Sequence, residues 1–387
     1  MRIHNLLGYN EGHLPVRYLG VPLISSRLRK IDCLALVDRI ICRAKSWTSN
    51  FLSYAGRVQL AKSILFSVQS YWTSLFILPK SIIRMVEQTL RSFIWKGSEL
   101  SRGGAKVAWK DLCTPKKEGG LSLIDLEAWK SAAMCRHIWH LFSDKDQSMW
   151  TSWIRTYCIK KNRCFWSLKI PGDCSWTWRK LLRLRSSAQK GIKHVIGNGA
   201  STYLWLDDWH PLGPLIRLTT KEQIQTSGMN IDSKVSAVID REEWGWPNQE
   251  LLQVLNVVAQ CTPCSFRPKV ERRDSVRWNM NSKGTFSLKS ALEMFRPRGR
   301  QVEWHSAVWF KGMIPRHAIV LWLAVRDRLT TQERMKNMGL IHEVKCTLCG
   351  GNEENINHLY FSCPFYYRIW FYLKEEMQPA MCAKELV

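Results

Sequence analysis

Residues 346–363 have the sequence CTLCGGNEENINHLYFSC, in which Cys346, Cys349, His358 and Cys363 follow the spacing C-x2-C-x8-H-x4-C. Zinc takes four thiolate or imidazole donors in a tetrahedron, and these are the right residue types at the right spacing. We therefore predict that the four side chains bind one zinc ion. Because four protein donors leave no position open for water, the predicted ion builds structure and does no chemistry. The alternative is a set of buried thiols with a core histidine.

Other cysteines and histidines lack this arrangement. Cys261 and Cys264 form a second C-x2-C pair, but no further histidine or cysteine follows until His305. His137, His140 and His317 each fall in a helical pattern and are interpreted as ordinary core or surface histidines.

The charge balance indicates a polyanionic partner. Lys and Arg total 57 against 32 Asp and Glu, which gives a net charge of +25. Nucleic acid fits this charge better than a membrane, because the longest apolar run, residues 319–325, is far shorter than the ~20 residues that span a bilayer. Residues 1–25 show no signal-peptide pattern, so we expect an intracellular protein with reduced cysteines. The alternative is that the basic surface only keeps the protein soluble.

The positive charge is densest between residues 151 and 200, where eleven Lys and Arg stand against one acid, Asp173. Tryptophans 153, 166, 176 and 178 alternate with them. Basic groups attract phosphates and indole rings stack on bases, so this segment is a candidate RNA or DNA contact surface. The candidate phosphate contacts are Lys160, Lys161, Arg163, Arg179, Lys180, Arg183 and Arg185. A pair of helices with a solvated basic face is the alternative, and the basic loop 102–117 is another candidate site.

Hydrophobic periodicity predicts a mainly α protein. Helices are expected near 34–47, 58–72, 83–93, 125–142 with Asp125 as the N-cap, before Pro297, and from Pro315. Residues 14–24 are predicted to be extended. Two small β-hairpins are predicted, at 194–206 around Gly197-Asn198-Gly199 and at 276–288 around Asn281 to Gly284.

Adjacent aspartates, Asp207 and Asp208, raise the alternative of a metal-dependent polymerase or nuclease. Such a site needs a third carboxylate on a neighbouring strand, and residues 1–98 offer only Glu11, Asp32, Asp38 and Glu87. The last three of these fall in helical patterns. We therefore interpret Asp207 and Asp208 as a structural turn and expect no enzyme activity.

Several motifs in order along the chain resemble the plant LINE-type non-LTR retrotransposon reverse transcriptases. They are Tyr18-Leu-Gly-Val-Pro-Leu23, Ser53-Tyr-Ala-Gly-Arg-Val58, Phe93-Ile-Trp95, Cys113-Thr-Pro-Lys116, Gly119-Gly-Leu121, Gly197-Asn-Gly199 with Asp207 and Trp209, Gly284-Thr-Phe-Ser-Leu-Lys-Ser-Ala291 and the CCHC cluster. The resemblance covers about 14–370 and carries over the four zinc ligands. In that family the polymerase carboxylates lie upstream of the Tyr18 motif and a ribonuclease H domain often follows the zinc cluster, so no catalytic residue carries over.

The resemblance implies a fragment with three regions: a thumb-like helical region at 1–145, a basic, Trp-rich middle region with a linker at 146–272, and a reverse-transcriptase-type zinc-binding domain at 273–387. It also implies a nuclear location. We expect an RNA- or DNA-binding protein with one structural zinc, whose polymerase or ribonuclease H partner would lie on another chain. The alternatives are a protein-interaction zinc module and a relic of a retroelement without function.

Overall fold

The computed structural model describes residues 14, 16–24, 27–46, 52–67, 71–97, 104–143, 148–160, 163–240, 243–246, 253–262, 268–269, 271–351 and 353–382. Across these ranges the chain is mainly helical, and its strands are short and antiparallel. The predicted mainly α fold is confirmed.

Helices carry most of the structure. Those of the first half are α1 (Leu34–Ser46), α2 (Tyr54–Ser67), α3 (Lys80–Lys96), α4 (Trp109–Cys113), α5 (Leu126–Phe142), α6 (Met149–Trp153) and α7 (Trp176–Gln189). Those of the second half are α8 (Lys221–Thr226), α9 (Gln253–Cys261), α10 (Leu288–Phe295), α11 (His305–Val308), α12 (Pro315–Val325), α13 (Gln332–Asn337) and α14 (Pro364–Cys382). Asp125 caps α5 as predicted, since its carboxylate accepts hydrogen bonds from the backbone N–H groups of Glu127 and Ala128.

Three two-stranded sheets lie in the described ranges. Strands β1 (Val16–Tyr18) and β2 (Val21–Leu23) form a hairpin through Leu19 and Gly20, both with positive φ, where the sequence had indicated only an extended piece. Strands β4 (Ile239–Asp240) and β5 (Glu243–Trp244) form a second hairpin.

The two hairpins predicted at 194–206 and 276–288 are wrong. Strand β3 (Ile192–Val195) pairs instead with β6 (Ser275–Trp278), so that Ile192 faces Trp278 across the sheet. The backbone N–H of Trp278 donates to the carbonyl of Gly284 and closes the expected turn, but no second strand follows in residues 279–288. Each turn was correctly placed, and the pairing partner was misassigned because it lies about eighty residues away in the sequence.

Two compact units divide the chain. The first, unit 1, comprises residues 1–36, 65–84 and 124–297, and the second, unit 2, comprises 37–64, 85–123 and 298–387. In unit 1, α5 packs against α7 and α10, and the core includes the fully buried Trp205 and Trp278. In unit 2, the indole N–H of the buried Trp322 on α12 donates to the carbonyl of Gly119 at 2.8 Å. The three regions predicted from the sequence stay a prediction.

Among the described residues, no helix combines the length and the apolar character that crossing a bilayer requires.

Candidate metal centre and basic surface

Two short turns bring the four predicted zinc ligands together. Cys346 and Cys349 lie on a turn closed by the backbone N–H of Gly350, which donates to the carbonyl of Cys346 at 2.8 Å. Gly350 has φ +71°, a conformation that favours glycine. His358 opens a π-helical turn at His358–Ser362, and the N–H of Cys363 donates back to the His358 carbonyl at 2.7 Å. The first turn thus presents two thiols and the second an imidazole and a thiol.

The donor atoms are spaced as a tetrahedral zinc site requires. All four lie within 4.8 Å of one another. The Sγ atoms of Cys346 and Cys363 are 3.9 Å apart, and Sγ of Cys349 lies 3.4 Å from Nε2 of His358. Zinc bonds of ~2.3 Å to sulfur and ~2.0 Å to nitrogen place S···S pairs about 3.8 Å apart and S···N pairs about 3.5 Å apart in a tetrahedron. The Cys346–Cys363 and Cys349–His358 distances agree with this geometry.

The surroundings of the thiols bear on their ionisation. Burial disfavours the Cys346 thiolate, but hydrogen bonds from the backbone N–H groups of Cys349 and Leu348 outweigh it and hold the pKa of Cys346 below its ordinary value. The pKa of Cys363 is likewise lowered, where backbone N–H groups at the start of α14 outweigh burial. The Gly351 N–H favours the Cys349 thiolate, yet burial and the two neighbouring thiols raise the pKa of Cys349 overall. These hydrogen bonds favour the thiolate forms of Cys346 and Cys363, which are the forms in which cysteine binds zinc.

The donor set also selects the kind of metal. Three sulfurs and one imidazole suit zinc and exclude the oxygen-seeking Mg²⁺ and Ca²⁺. Cys346, His358 and Cys363 are buried, and Cys349 is partly buried. The residues present therefore fit a zinc ion whose sphere is filled by protein.

The cysteine pair and the histidines that the sequence analysis set aside are not gathered in this way. Cys261 is exposed at the end of α9, and Cys264 lies outside the described residues. The ring of His137 meets the indole of Trp150 edge-on at 5.4 Å. Within the described ranges, no other group of His, Cys, Asp or Glu side chains brings its donor atoms to such distances.

Asp207 serves the fold of unit 1. Its carboxylate is buried, with Oδ1 accepting from the indole N–H of Trp166 at 2.7 Å and Oδ2 from the backbone N–H of Tyr203 at 2.7 Å. Asp208 faces Lys193, with Oδ1 at 3.7 Å from Nζ. Burial raises the pKa of Asp208, and the positive charge of Lys193 partly offsets that rise. The geometry agrees with the structural turn inferred from the sequence.

Sequence reasoning missed Asp274, a buried carboxylate that organises the Gly197–Thr202 loop. Its Oδ1 accepts from the backbone N–H groups of Gly197 and Gly199, each at 2.8 Å. Its Oδ2 accepts from both the backbone N–H and the hydroxyl of Ser201 and of Thr202, at 2.9 to 3.1 Å. Burial opposes the charge, but these hydrogen bonds outweigh it and lower the pKa of Asp274. No local signal marks the residue, because its six donors lie more than seventy positions away.

The predicted phosphate contacts divide by environment. Lys160, Arg163 and Arg183 are exposed, whereas Lys161 lies outside the described residues. Arg179 donates to the carbonyl of Gly172, and Arg185 donates to that of Leu168, so each already holds a loop in place. Lys180 lies over the ring of Trp176, with Nζ 5.5 Å from the ring centroid.

The four tryptophans of this segment also fall into two groups, one buried in the core and one at the surface. Trp166 and Trp178 belong to the core of unit 1 and offer no face to a ligand. Trp153 is exposed and Trp176 is half-buried. The sequence pattern therefore mixed packing residues with surface residues.

Comparison with known proteins agrees with the chemistry of the metal centre. Residues 286–370 match the protein family described as zinc-binding in reverse transcriptase. Over 365 residues, 90% of the chain, the sequence is 27% identical to an Arabidopsis thaliana protein named "Putative ribonuclease H protein". The chain spans only 57% of that relative's length. An uncharacterized mitochondrial protein of Arabidopsis thaliana is 26% identical over 150 residues, which are 38% of this chain and 96% of the relative. The predicted resemblance to the zinc-binding region of reverse transcriptases is confirmed.

Proposed function

We propose that this chain is a nucleic-acid-binding part of a retroelement-derived reverse transcriptase, folded around one structural zinc ion and without a polymerase or ribonuclease H site of its own. The observation that carries the proposal is the cluster of Cys346, Cys349, His358 and Cys363 inside the segment that matches the reverse-transcriptase zinc-binding family. The net charge of +25 supports a polyanionic partner.

The structural role of zinc follows from the donor set and from the small core around it. Between the first and last ligand, Leu348 and Phe361 are exposed, so this loop buries little apolar surface of its own. Metal binding then supplies the free energy of folding, which for structural zinc peptides is on the order of 10 kcal/mol at neutral pH. We expect the wild-type chain to purify with one zinc per molecule.

The zinc is tested by elemental analysis and limited proteolysis of purified wild type and two cysteine variants. Cys363→Ser should lose most of the metal and become protease-sensitive around 346–363, because a thiolate donor is gone. Cys261→Ser is the matched control, because this exposed thiol lies outside the cluster, and it should keep one equivalent. A wild type without zinc, or a Cys363→Ser chain that retains a full equivalent, would contradict the assignment.

Nucleic-acid binding is tested by its salt dependence. Each phosphate contact should contribute roughly −0.7 for single strands to −0.9 for duplex DNA to the slope of log K against log salt. Replacing the exposed Lys160, Arg163 and Arg183 by Ala should flatten the slope by about two units if these residues contact phosphates. A triple variant of other exposed lysines in unit 1, Lys221, Lys283 and Lys289, removes the same charge and serves as the control. An equal effect of both variants would argue against a surface at 160–185.

The absence of a catalytic site is tested by primer extension and by strand cleavage with Mg²⁺ or Mn²⁺. The expected result is no product, because both oxygens of the Asp207 carboxylate already accept hydrogen bonds within unit 1. Metal-dependent product that disappears in Asp207→Asn would favour the enzyme alternative. Under the proposed function, a polymerase or ribonuclease H domain on another chain supplies the catalysis. A nuclear location belongs to the same proposal, and imaging of the tagged chain tests it.

A further inference from the structure

A cleft of about 750 Å³ opens in unit 1 between the β1–β2 end of the chain, α5 and the start of α7. We call it the cationic cleft, and its chemically distinctive lining residues are Arg27, Lys130, Arg136, His137, Trp150 and Trp176. Its volume lies within the range of about 300–1,000 Å³ typical of sites that hold small ligands. The cleft therefore has room for one or two monomers of a polymer. Of the predicted phosphate contacts, the six that the structure describes do not line it.

Positive charge accumulates around the cationic cleft. The guanidinium of Arg27 lies 4.9 Å from the ring centroid of Trp176, and Lys180 approaches the same ring. Burial lowers the pKa of Lys180, and the positive charges of Arg183, Lys130, Lys80 and Arg27 lower it further. Each of these four cations is thus close enough to Lys180 to repel its ammonium. Glu127 pairs with Lys130 and offsets only part of this charge. A bound anion would relieve the remaining repulsion.

Aromatic rings lie beside these cations. The Trp150 side chain is 37% exposed, and its indole is held edge-on by the ring of His137. Trp176 presents a half-buried ring beneath the Arg27 guanidinium. Indole faces and guanidinium planes are the groups on which unpaired bases stack. In a duplex the bases are already stacked inside the helix and cannot reach such a face, so the cleft favours a single strand.

We propose that the cationic cleft binds a single-stranded segment of nucleic acid, with phosphates against Arg27 and Arg136 and an unpaired base stacked on Trp150. This inference rests on the proposed nucleic-acid binding and adds to it a second site and a preference for unpaired strands.

The experiment measures fluorescence anisotropy of the full chain with labelled mixed-sequence RNA and DNA oligomers, single-stranded and duplex. Loss of one stacked base by alanine substitution typically weakens binding about fivefold or more. Trp150→Ala should therefore lower single-strand affinity at least about fivefold, change duplex affinity less than about twofold, and leave the salt slope unchanged. Arg27→Ala should reduce the single-strand salt slope by about 0.7, because one phosphate contact is lost.

Matched controls separate stacking from folding. Trp370, in unit 2, is 52% exposed and does not line the cleft, so Trp370→Ala should leave single-strand affinity unchanged. Trp150→Phe keeps a stacking face and should recover most of the affinity. An abasic oligomer should bind the wild type at least about fivefold more weakly than a normal one, and this difference should vanish in Trp150→Ala. The abasic comparison on wild type needs no variant to fold.

The outcomes distinguish this inference from the proposed function. If the wild type binds no nucleic acid at any salt concentration, the proposed function fails and the inference fails with it. If the wild type binds single strands but does not discriminate against the abasic oligomer, and neither Trp150→Ala nor Arg27→Ala changes the binding, the cleft is not the site while nucleic-acid binding stands. Equal loss in Trp370→Ala and Trp150→Ala would also overturn the assignment to the cleft.

Discussion

Removing the carboxylate of Asp274 should destabilise unit 1 more than any other single change to an acidic residue in it. Asp274 accepts six hydrogen bonds from the Gly197–Thr202 loop. Four of the six donors belong to buried residues. They are the N–H groups of Gly197 and Gly199, and the N–H and hydroxyl of Thr202. In Asp274→Ala these donors lose their acceptor, and water does not readily replace it.

The magnitude follows from the number of orphaned donors. Each buried donor left without a partner costs about 1–3 kcal/mol, so four of them at the low end give a loss of about 4 kcal/mol. Asp274→Asn keeps Oδ1 for Gly197 and Gly199 but turns an amide NH₂ toward the donors of Thr202. Two buried donors are then unpaired, and the expected loss is about 2–4 kcal/mol.

The assay is denaturant unfolding followed by tryptophan fluorescence, because much of the buried indole of the chain lies in unit 1. The exposed Asp232 of the same unit is the control, and Asp232→Asn should change stability by less than about 0.5 kcal/mol. If Asp274→Asn unfolds at the same denaturant concentration as wild type, then the carboxylate does not organise the loop and the reasoning is refuted.

Three further perturbations test the packing around these motifs. Gly197→Ala should cost at least about 2 kcal/mol, since a Cβ there would lie 2.1 Å from the carbonyl oxygen of Arg272, and an unchanged melting temperature would contradict this close approach. Trp322→Phe should cost about 1–2 kcal/mol in unit 2, because the buried hydrogen bond to the Gly119 carbonyl is lost, and calorimetry of the variant checks it. Acidification should destabilise unit 1 through Asp274: its folded pKa is lowered, so its contribution is complete above the unfolded value of about 3.9 and is lost as pH falls through the folded value. This acid-dependent loss should be absent from Asp274→Asn.

The zinc cluster could be predicted from sequence because its information is local. All four donors fall within eighteen positions, and their order and spacing fix which atoms can meet. The helices were predictable for a similar reason, since the 3.6-residue period and caps such as Asp125 act within one or two turns. In both cases the residues that interact with one another are close neighbours in the sequence.

The remaining features depend on partners that the sequence does not place together. The turn at Gly197 was recognised. Nothing in the nearby sequence shows that β3 pairs with β6, or that Asp274 accepts hydrogen bonds from this loop. Tryptophan content likewise could not separate the buried Trp166 from the exposed Trp153, because both were read from the same basic segment, 151–200. Strand pairing over a long sequence distance and burial in the core determine what these residues do. Neither leaves a periodic pattern in the nearby sequence.

The motifs that carry the family resemblance prove to be largely architectural. Asp274 accepts hydrogen bonds from the Gly197-Asn-Gly199 motif, and Asp207 accepts one from Trp166. The carbonyl of Gly119 accepts the hydrogen bond of Trp322. Such residues are constrained by close backbone approach and by buried hydrogen bonds. Arg27 and Trp150 lie in none of these motifs, although both line the cationic cleft. Motif matching therefore locates the buried framework of this chain, and the proposed nucleic-acid contacts must be sought on the surfaces that the framework leaves exposed.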